Sequence, residues 1–325
     1  MPPIRHPLPD GRWHFQHGPI DLIIGADGQA AAVHAAHEAA WRRFQPLLAE
    51  LVGELPLLRQ PVAADDAPCP LRGEVARRMW LACHPHRHRF ITPMAAVAGS
   101  VAQEIAAAYA LEGVDRAWVN NGGDIALHLV PGQALRVGLV ADVARDHAAR
   151  ATRPSGAASE PALDGRFEVS AAMSVRGVAT SGWRGRSFSL GIADSVTVLA
   201  ASAAAADAAA TMIANAVDTD DPRIVRRPAH SLKDDSDLGA IEVTVDVPPL
   251  DPAQVQQALQ SGARRARELR ARGLIEAALL VCQGQARAVG GTGSQAWQPV
   301  QGMMAGALPV AGGRMPSLAS GSVFA

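Results

Sequence analysis

The sequence predicts an α+β protein, a layered domain with a mixed or antiparallel sheet and helices packed on it. Three observations predict it. Short β-rich runs separated by turn residues recur along the chain, and a few longer stretches carry apolar residues at helical spacing. Alanine is abundant while aromatic residues make up only 4%, so helices can lie close on a sheet through small side chains. With 325 residues, 48% of them hydrophobic, the chain can fill one large domain or two small ones.

The elements follow in order. Strand-like runs at 12–16 and 20–24 flank His17-Gly18-Pro19 and read as an opening hairpin. From 30 to 55, Val33, Ala36, Ala40, Phe44, Leu47 and Leu51 recur at helical spacing, with Pro46 expected to kink or break the helix. The Pro-, Ala- and Asp-rich stretch 56–72 reads as a loop. A second helix starts after Thr92-Pro93 and runs to Tyr109. Strands are expected at 117–119, 125–130 and 135–140, the first two joined through the turn 120–124. Residues 140–166, polar and punctuated by Pro and Gly, read as an exposed loop. Strand-like segments return at 167–180, 186–192 and 195–200, and a long helix covers 202–217. Six aspartates with Arg223, Arg226, Arg227 and Lys233 make 218–238 a second exposed loop. A half-buried strand at 240–247, a helix at 252–272 and a strand at 275–282 complete a single domain over 1–282. Residues 283–325, rich in Gly and Ala, read as a loosely ordered tail.

Composition excludes several classes of function. The net charge is −1, from 30 basic and 31 acidic side chains, so no overall field draws nucleic acid or anionic lipid. No stretch has about 18 uninterrupted apolar residues, and residues 1–15 lack the apolar core of a signal peptide. Cys69, Cys83 and Cys282 are odd in number and far apart, against a disulfide framework or a four-cysteine zinc site. A cytoplasmic protein with no nucleic-acid or membrane partner is expected.

Three segments carry the chemistry. In Asn120-Asn121-Gly122-Gly123-Asp124 two glycines permit positive φ and leave the backbone open, so that successive amides can cradle a phosphate; an ordinary hairpin turn is the other reading. Thr180-Ser181-Gly182 would place hydroxyls and amides at a strand end, or form a simple turn. In the helix 202–217, Asp207, Thr211 and Asn215 are four residues apart and share one face among Ala, Met, Ile and Val. Oxygen donors of this kind suit Mg²⁺, which keeps waters and shares phosphate ligands; a solvated stripe is the alternative.

Together, and in this order, Val119–Ile125, Ala179–Gly182 and Val196–Val198 leading into Ala206–Thr211 resemble ApbE-like proteins. Ile91-Thr92-Pro93-Met94-Ala95-Ala96-Val97-Ala98-Gly99 and Thr180-Ser181-Gly182-Trp183-Arg184-Gly185 resemble a cytoplasmic branch of that superfamily. The resemblance covers roughly residues 75–218. It implies a layered, T-fold-like domain, Mg²⁺ held by Asp207 and Thr211, and FAD or a related nucleotide near Asn121, Gly122, Gly123, Asp124, Thr180, Ser181 and Gly182. The flavin transferases of the superfamily move FMN from FAD onto Ser or Thr of a target protein. Relatives also make a homo-oligomer the expectation. An alternative the resemblance implies is an accessory role in sulfide assimilation and homocysteine formation; another is a non-catalytic module with a degenerate site.

The pattern departs at one place. Flavin transferases carry a His-x-x-Asp-Pro-x-Thr-Gly-like segment after the Ser-Gly turn, whereas here Ser187–Ser195 contains no histidine and only Asp194 stands near the family aspartate. No catalytic residue can therefore be assigned, and binding is the expectation, with a divergent flavin-transferase activity left open by the resemblance. Elsewhere, Cys83-His84-Pro85-His86-Arg87-His88 would align three histidines if it were a strand, but Pro85 and the arginines favour a basic, anion-attracting edge over a zinc site. The arginines of 264–272 alternate with Ala and Leu as on the outer face of a packed helix.

Overall fold

A computed structural model describes residues 2–65, 67–139, 165–185, 187–290, 298–299 and 322–324. Most of the expected loop 140–166, Arg186 and most of 283–325 lie outside the described residues.

A nine-stranded sheet forms the middle layer, in the order β1-β2-β3-β4-β5-β8-β9-β12-β13, and every neighbouring pair is antiparallel. Its strands are β1 (Ile4–Pro7), β2 (Trp13–His17), β3 (Ile20–Gly28), β4 (Val114–Asn121), β5 (Asp124–Leu129), β8 (Gly177–Ser181), β9 (Ser195–Ala200), β12 (Ala277–Cys282) and β13 (Gln285–Val289). On one face lie α1 (Ala30–Gly53), the short α2 (Leu55–Leu58), α3 (Glu74–Cys83), α4 (Val97–Ala106), α5 (Ala203–Ala214) and α6 (Pro252–Ala271). The other face is covered by the hairpin β6 (Ala134–Leu139) and β7 (Gly165–Ser170), which β14 (Gln298–Pro299) and β15 (Ser322–Phe324) flank in a second sheet. A separate hairpin pairs β10 (Val225–Pro228) with β11 (Glu242–Asp246).

Period-two alternation makes the layers. Ala117, Val119 and Ala126 join the core under α1, α3 and α4, while Trp118, Ile125, Leu127 and Leu129 point the opposite way and pack on Leu135, Val137, Phe167 and Val169 of the hairpin. Farther along the sheet, Val196, Val198 and Leu280 bury α5 and α6. Among the described residues no helix is long and apolar enough to cross a membrane.

Several expectations need correction. α1 continues through Pro46, because Phe44, Leu47 and Leu51 on either side are buried and hold the helix against one missing amide bond. The stretch 56–72 opens with α2, and Glu74–Cys83 forms a helix where the sequence suggested none. The 83–90 run is a helix end and a 3-10 turn at His84–His86, so its histidines do not share a strand face. No strand forms at 187–192, which is tied to α5. The 218–238 stretch is more than an exposed loop. It contains β10, buries Asp221, Ile224 and Ala229, pairs Arg226 with Asp218 and Arg223 with Asp221, and ties Asp235 to Arg59 outside it. The ordered sheet also extends past 282, since β13 pairs with β12 from Ala278 to Cys282.

Candidate functional site

The site is built where α4 and α5 cross over the end of β4 and β5. Asn121 and Asp124 are opposite partners flanking a two-residue turn, with Gly122 at φ +65° and Gly123 at φ +110°. Both angles lie in the left-handed region, which only glycine adopts without strain, and they match the twist of a tight hairpin. The Gly123 amide donates to Oδ1 of Asn120 at 2.8 Å, so it is already engaged. Asn121 is buried and its Nδ2 donates to the Ala98 carbonyl at 3.1 Å, joining the turn to α4.

Asp124 is buried, and its Oδ1 accepts the Thr180 amide at 3.1 Å. The Thr180 hydroxyl is 2.9 Å from that of Thr197 on the next strand. Thr180 is therefore spent on joining strands. Ser181 is half-buried at the same sheet end, and Gly182 lies against the backbone of Asp194: a Cβ there would stand 2.2 Å from its carbonyl oxygen.

Asp207 reaches the same place from α5. Its carboxyl shares a hydrogen bond with that of Asp124 and accepts amides from Ala98 and Gly99, the latter at 2.9 Å. Ala96, the residue preceding α4, offers no side-chain cap, so a carboxylate from another helix meets the orphan amides and the positive end of α4. Close approach requires glycine here, since a Cβ on Gly99 would fall 2.3 Å from the Ala203 carbonyl oxygen and 2.9 Å from Cβ of Asp207. Burial raises the Asp207 carboxyl well above the usual carboxylate range, against the lowering effect of the two amides and of Asp124. The two carboxyls in contact titrate as a coupled pair.

Thr211 lies one turn along α5 and is half-buried. Asn215, the third residue of the stripe, turns to structure: its Oδ1 accepts the Leu190 amide at 2.9 Å and the Ser189 hydroxyl at 3.2 Å. Asp194 is likewise occupied, accepting the Gln283 amide at the β12–β13 turn and pairing with Arg184 at 3.3 Å. The segment that departs from the transferase pattern is thus used to fasten α5 and the β12–β13 hairpin.

Sequence reasoning missed a group beside Asp207. Thr92 is buried and donates its hydroxyl to Asp237, and the Cys83 thiol points at the Thr92 carbonyl at 3.3 Å. Burial pushes the Cys83 thiol well up, and the charges of Asp207 and Asp237 add to the effect, so it is no nucleophile. The Thr92–Gly99 stretch was the available signal, but nothing in it points to Asp237. Among the described residues no three or more His, Cys, Asp or Glu side chains cluster to hold a metal. A cavity of about 600 Å³ opens elsewhere, at the start of α5, lined by Arg72, Arg77, Arg78 and Ser202, and none of the residues expected at the site lines it.

The family described as AbpE bacteria matches residues 5–288. The chain belongs to this family. The AbpE bacteria match spans both the turn at 122–124 and the helix bearing Asp207, and it supports the ApbE-like resemblance read from the motifs. Similar proteins include a UPF0280 protein of Methanopyrus kandleri, 36% identical over 231 residues, covering 69% of this chain and 82% of the relative. A UPF0280 protein of Methanothrix thermoacetophila is 32% identical over 218 residues, covering 64% and 82%. Among solved structures, the ApbE protein of Thermotoga maritima aligns over 89% of this chain and 96% of its own at 11% identity, with a TM-score of 0.36.

Proposed function

We propose that this protein binds a flavin nucleotide or another diphosphate ligand together with Mg²⁺, at the turn 122–124 and the facing side of α5. The observation that carries the reading is the contact between the Asp124 and Asp207 carboxyls. A proton shared by two carboxyls occupies a position that a divalent cation can take, and Mg²⁺ is commonly bound by one or two carboxylates with the rest of its shell left to water and phosphate. The residues present fit that demand: Asp124 and Asp207 would hold the ion, with the Thr211 hydroxyl one turn away. The ion would neutralise the charge of a bound diphosphate. Gly123 leaves open space for it, with no atom within 4 Å of where a Cβ would stand. Transfer chemistry is not part of the proposal, because the segment that would supply it is a structural fastening here.

One observation favours a second reading. Asp207 already caps α4, so a non-catalytic module would keep the same residue for stability. Calorimetric titration with FAD, FMN and ADP, with and without Mg²⁺, separates the two. Saturable binding that requires Mg²⁺ and weakens at least tenfold in Asp207→Asn is expected. The Asn side chain can still accept the α4 amides, so the helix cap survives. Absence of binding by all three ligands with Mg²⁺ would sink the nucleotide reading and leave the capping role.

A further inference from the structure

The basic edge expected around residues 84–89 has a partner that the sequence did not reveal. The 3-10 turn His84–His86 lies against the C-terminal end of α6, where Arg272, just past the helix, donates from Nη2 to the Pro85 carbonyl at 2.8 Å. His86 is only 3% exposed and its Nδ1 has no hydrogen-bond partner. The Arg265 side chain, 12% exposed, has a buried Nε that is also without a partner. Arg265 and Arg272 lie close enough to His86 that, after burial, their charges push its imidazole down to about 4. Burial and then Arg89 and Arg272 lower the Arg265 guanidinium, with only Glu268 opposing them. That glutamate sits 3.4 Å away and is 60% exposed, a weak counter-charge in water.

Arg265, Arg272 and a buried imidazole thus lie at one seam, with Arg89 near enough to act on Arg265 and with Glu268 as the carboxylate paired to Arg265. Bringing like charges together is unfavourable, and a buried donor without an acceptor is more so. Native structures usually satisfy such buried donors, through water or an ion where the protein offers no acceptor. A negative group rich in acceptor oxygens would satisfy the Arg265 Nε and offset the crowded cations; a tetrahedral oxyanion is one, and guanidinium forks match its oxygens.

We propose that the seam between residues 84–89 and α6 binds a phosphate group through Arg89, Arg265 and Arg272, with His86 as a further donor. The phosphate can be the free anion or the terminal group of a small phosphorylated ligand. This site is built from other elements than the Asp124–Asp207 pair and does not rest on the nucleotide reading. The test titrates inorganic phosphate, and separately glycerol phosphate, into the full chain near pH 6.5. Heat is read by calorimetry and the His86 ring by nitrogen-edited NMR. Saturable heat is expected, with the His86 resonance moving toward the protonated position as phosphate is added. Arg272→Gln, at an exposed position, and Arg265→Gln should each weaken binding at least tenfold, and Asp207→Asn should leave it unchanged. Tighter binding of glycerol phosphate than of phosphate identifies a phosphorylated ligand, and the reverse identifies the free anion. No heat and an unmoved His86 resonance with either probe would overturn the proposal, as would binding that both arginine variants leave intact.

Discussion

At the scale of single residues, buried polar groups decide the chemistry through what they touch. His37 illustrates the cost. Its ring lies 2.7 Å from the Tyr109 hydroxyl on the buried face of α1; burial first, then the His34 charge, and finally Arg5 push its pKa to about 4, with Glu38 opposing. The folded-state value lies below that of the unfolded chain, so between about 6.5 and 4 the unfolded chain takes up a proton that the folded one refuses. Stability present at pH 7 is therefore lost as the pH falls through this window, by about 3 kcal/mol from this residue. Urea melts at steps from pH 7 to pH 4 should show that loss, and His37→Gln should flatten it; equal slopes in the two proteins would refute the assignment. The same scale sets how far the site could be read from sequence. Spacing put Asp207 and Thr211 on one helix face, and the glycine pair marked the turn, because both signals are local. The contact of Asp207 with Asp124 joins residues 83 positions apart, and no local pattern encodes it.

At the scale of elements, ends and fastenings matter more than propensity. α5 is made mainly of alanine, and its start is capped by Ser202, whose hydroxyl accepts the Ala205 amide. Its far end is held by Asn215, which gathers the Leu190 amide and the Ser189 hydroxyl, while the Ile192 amide reaches the Val217 carbonyl at 2.8 Å. Asn215→Ala should leave the Leu190 amide short of a partner and cost about 1–3 kcal/mol. Hydrogen exchange gives the sharper check: residues 189–192 should lose protection more than β9 does, and uniform loss would argue against a local fastening. Strands β2 to β5 and helices α1, α5 and α6 were legible because their periodicity runs over many residues. α3 was missed because its short run, Glu74–Cys83, is interrupted by Arg77 and Arg78 and lacks a side-chain cap. The strand expected at 186–192 failed for a different reason, since Asn215 takes the Leu190 amide that a strand ladder would use.

At the scale of the molecule, the order of the sheet could not be read from sequence, because β5 pairs with β8 and β9 with β12 across long insertions. What holds the α1–α3–α4 half together is partly ionic. Glu104 of α4 is 7% exposed and accepts from Arg43 Nε of α1 at 2.5 Å and from Arg78 Nη1 of α3 at 2.7 Å. Arg43 is held further by Glu50, and Arg78 by Glu74 and the Ser100 carbonyl. Burial alone would raise the Glu104 carboxyl, but the hydrogen bonds and charges of the two arginines outweigh it and leave its pKa low. A depressed acid contributes stability that is present above its unfolded value and lost as the pH falls through the folded one. Removing the charge at neutral pH leaves two arginines facing a neutral amide between three helices. Both arginines keep some water, with side chains 27% and 20% exposed, so the loss should sit at the low end for a broken buried pair. Glu104→Gln should cost about 2–3 kcal/mol in urea unfolding at pH 7. The deficit should shrink as the pH falls below the ordinary glutamate range and through the lowered pKa of the native carboxyl. A constant deficit across that range would mean that Glu104 acts through packing and that the three helices are held by their apolar faces alone.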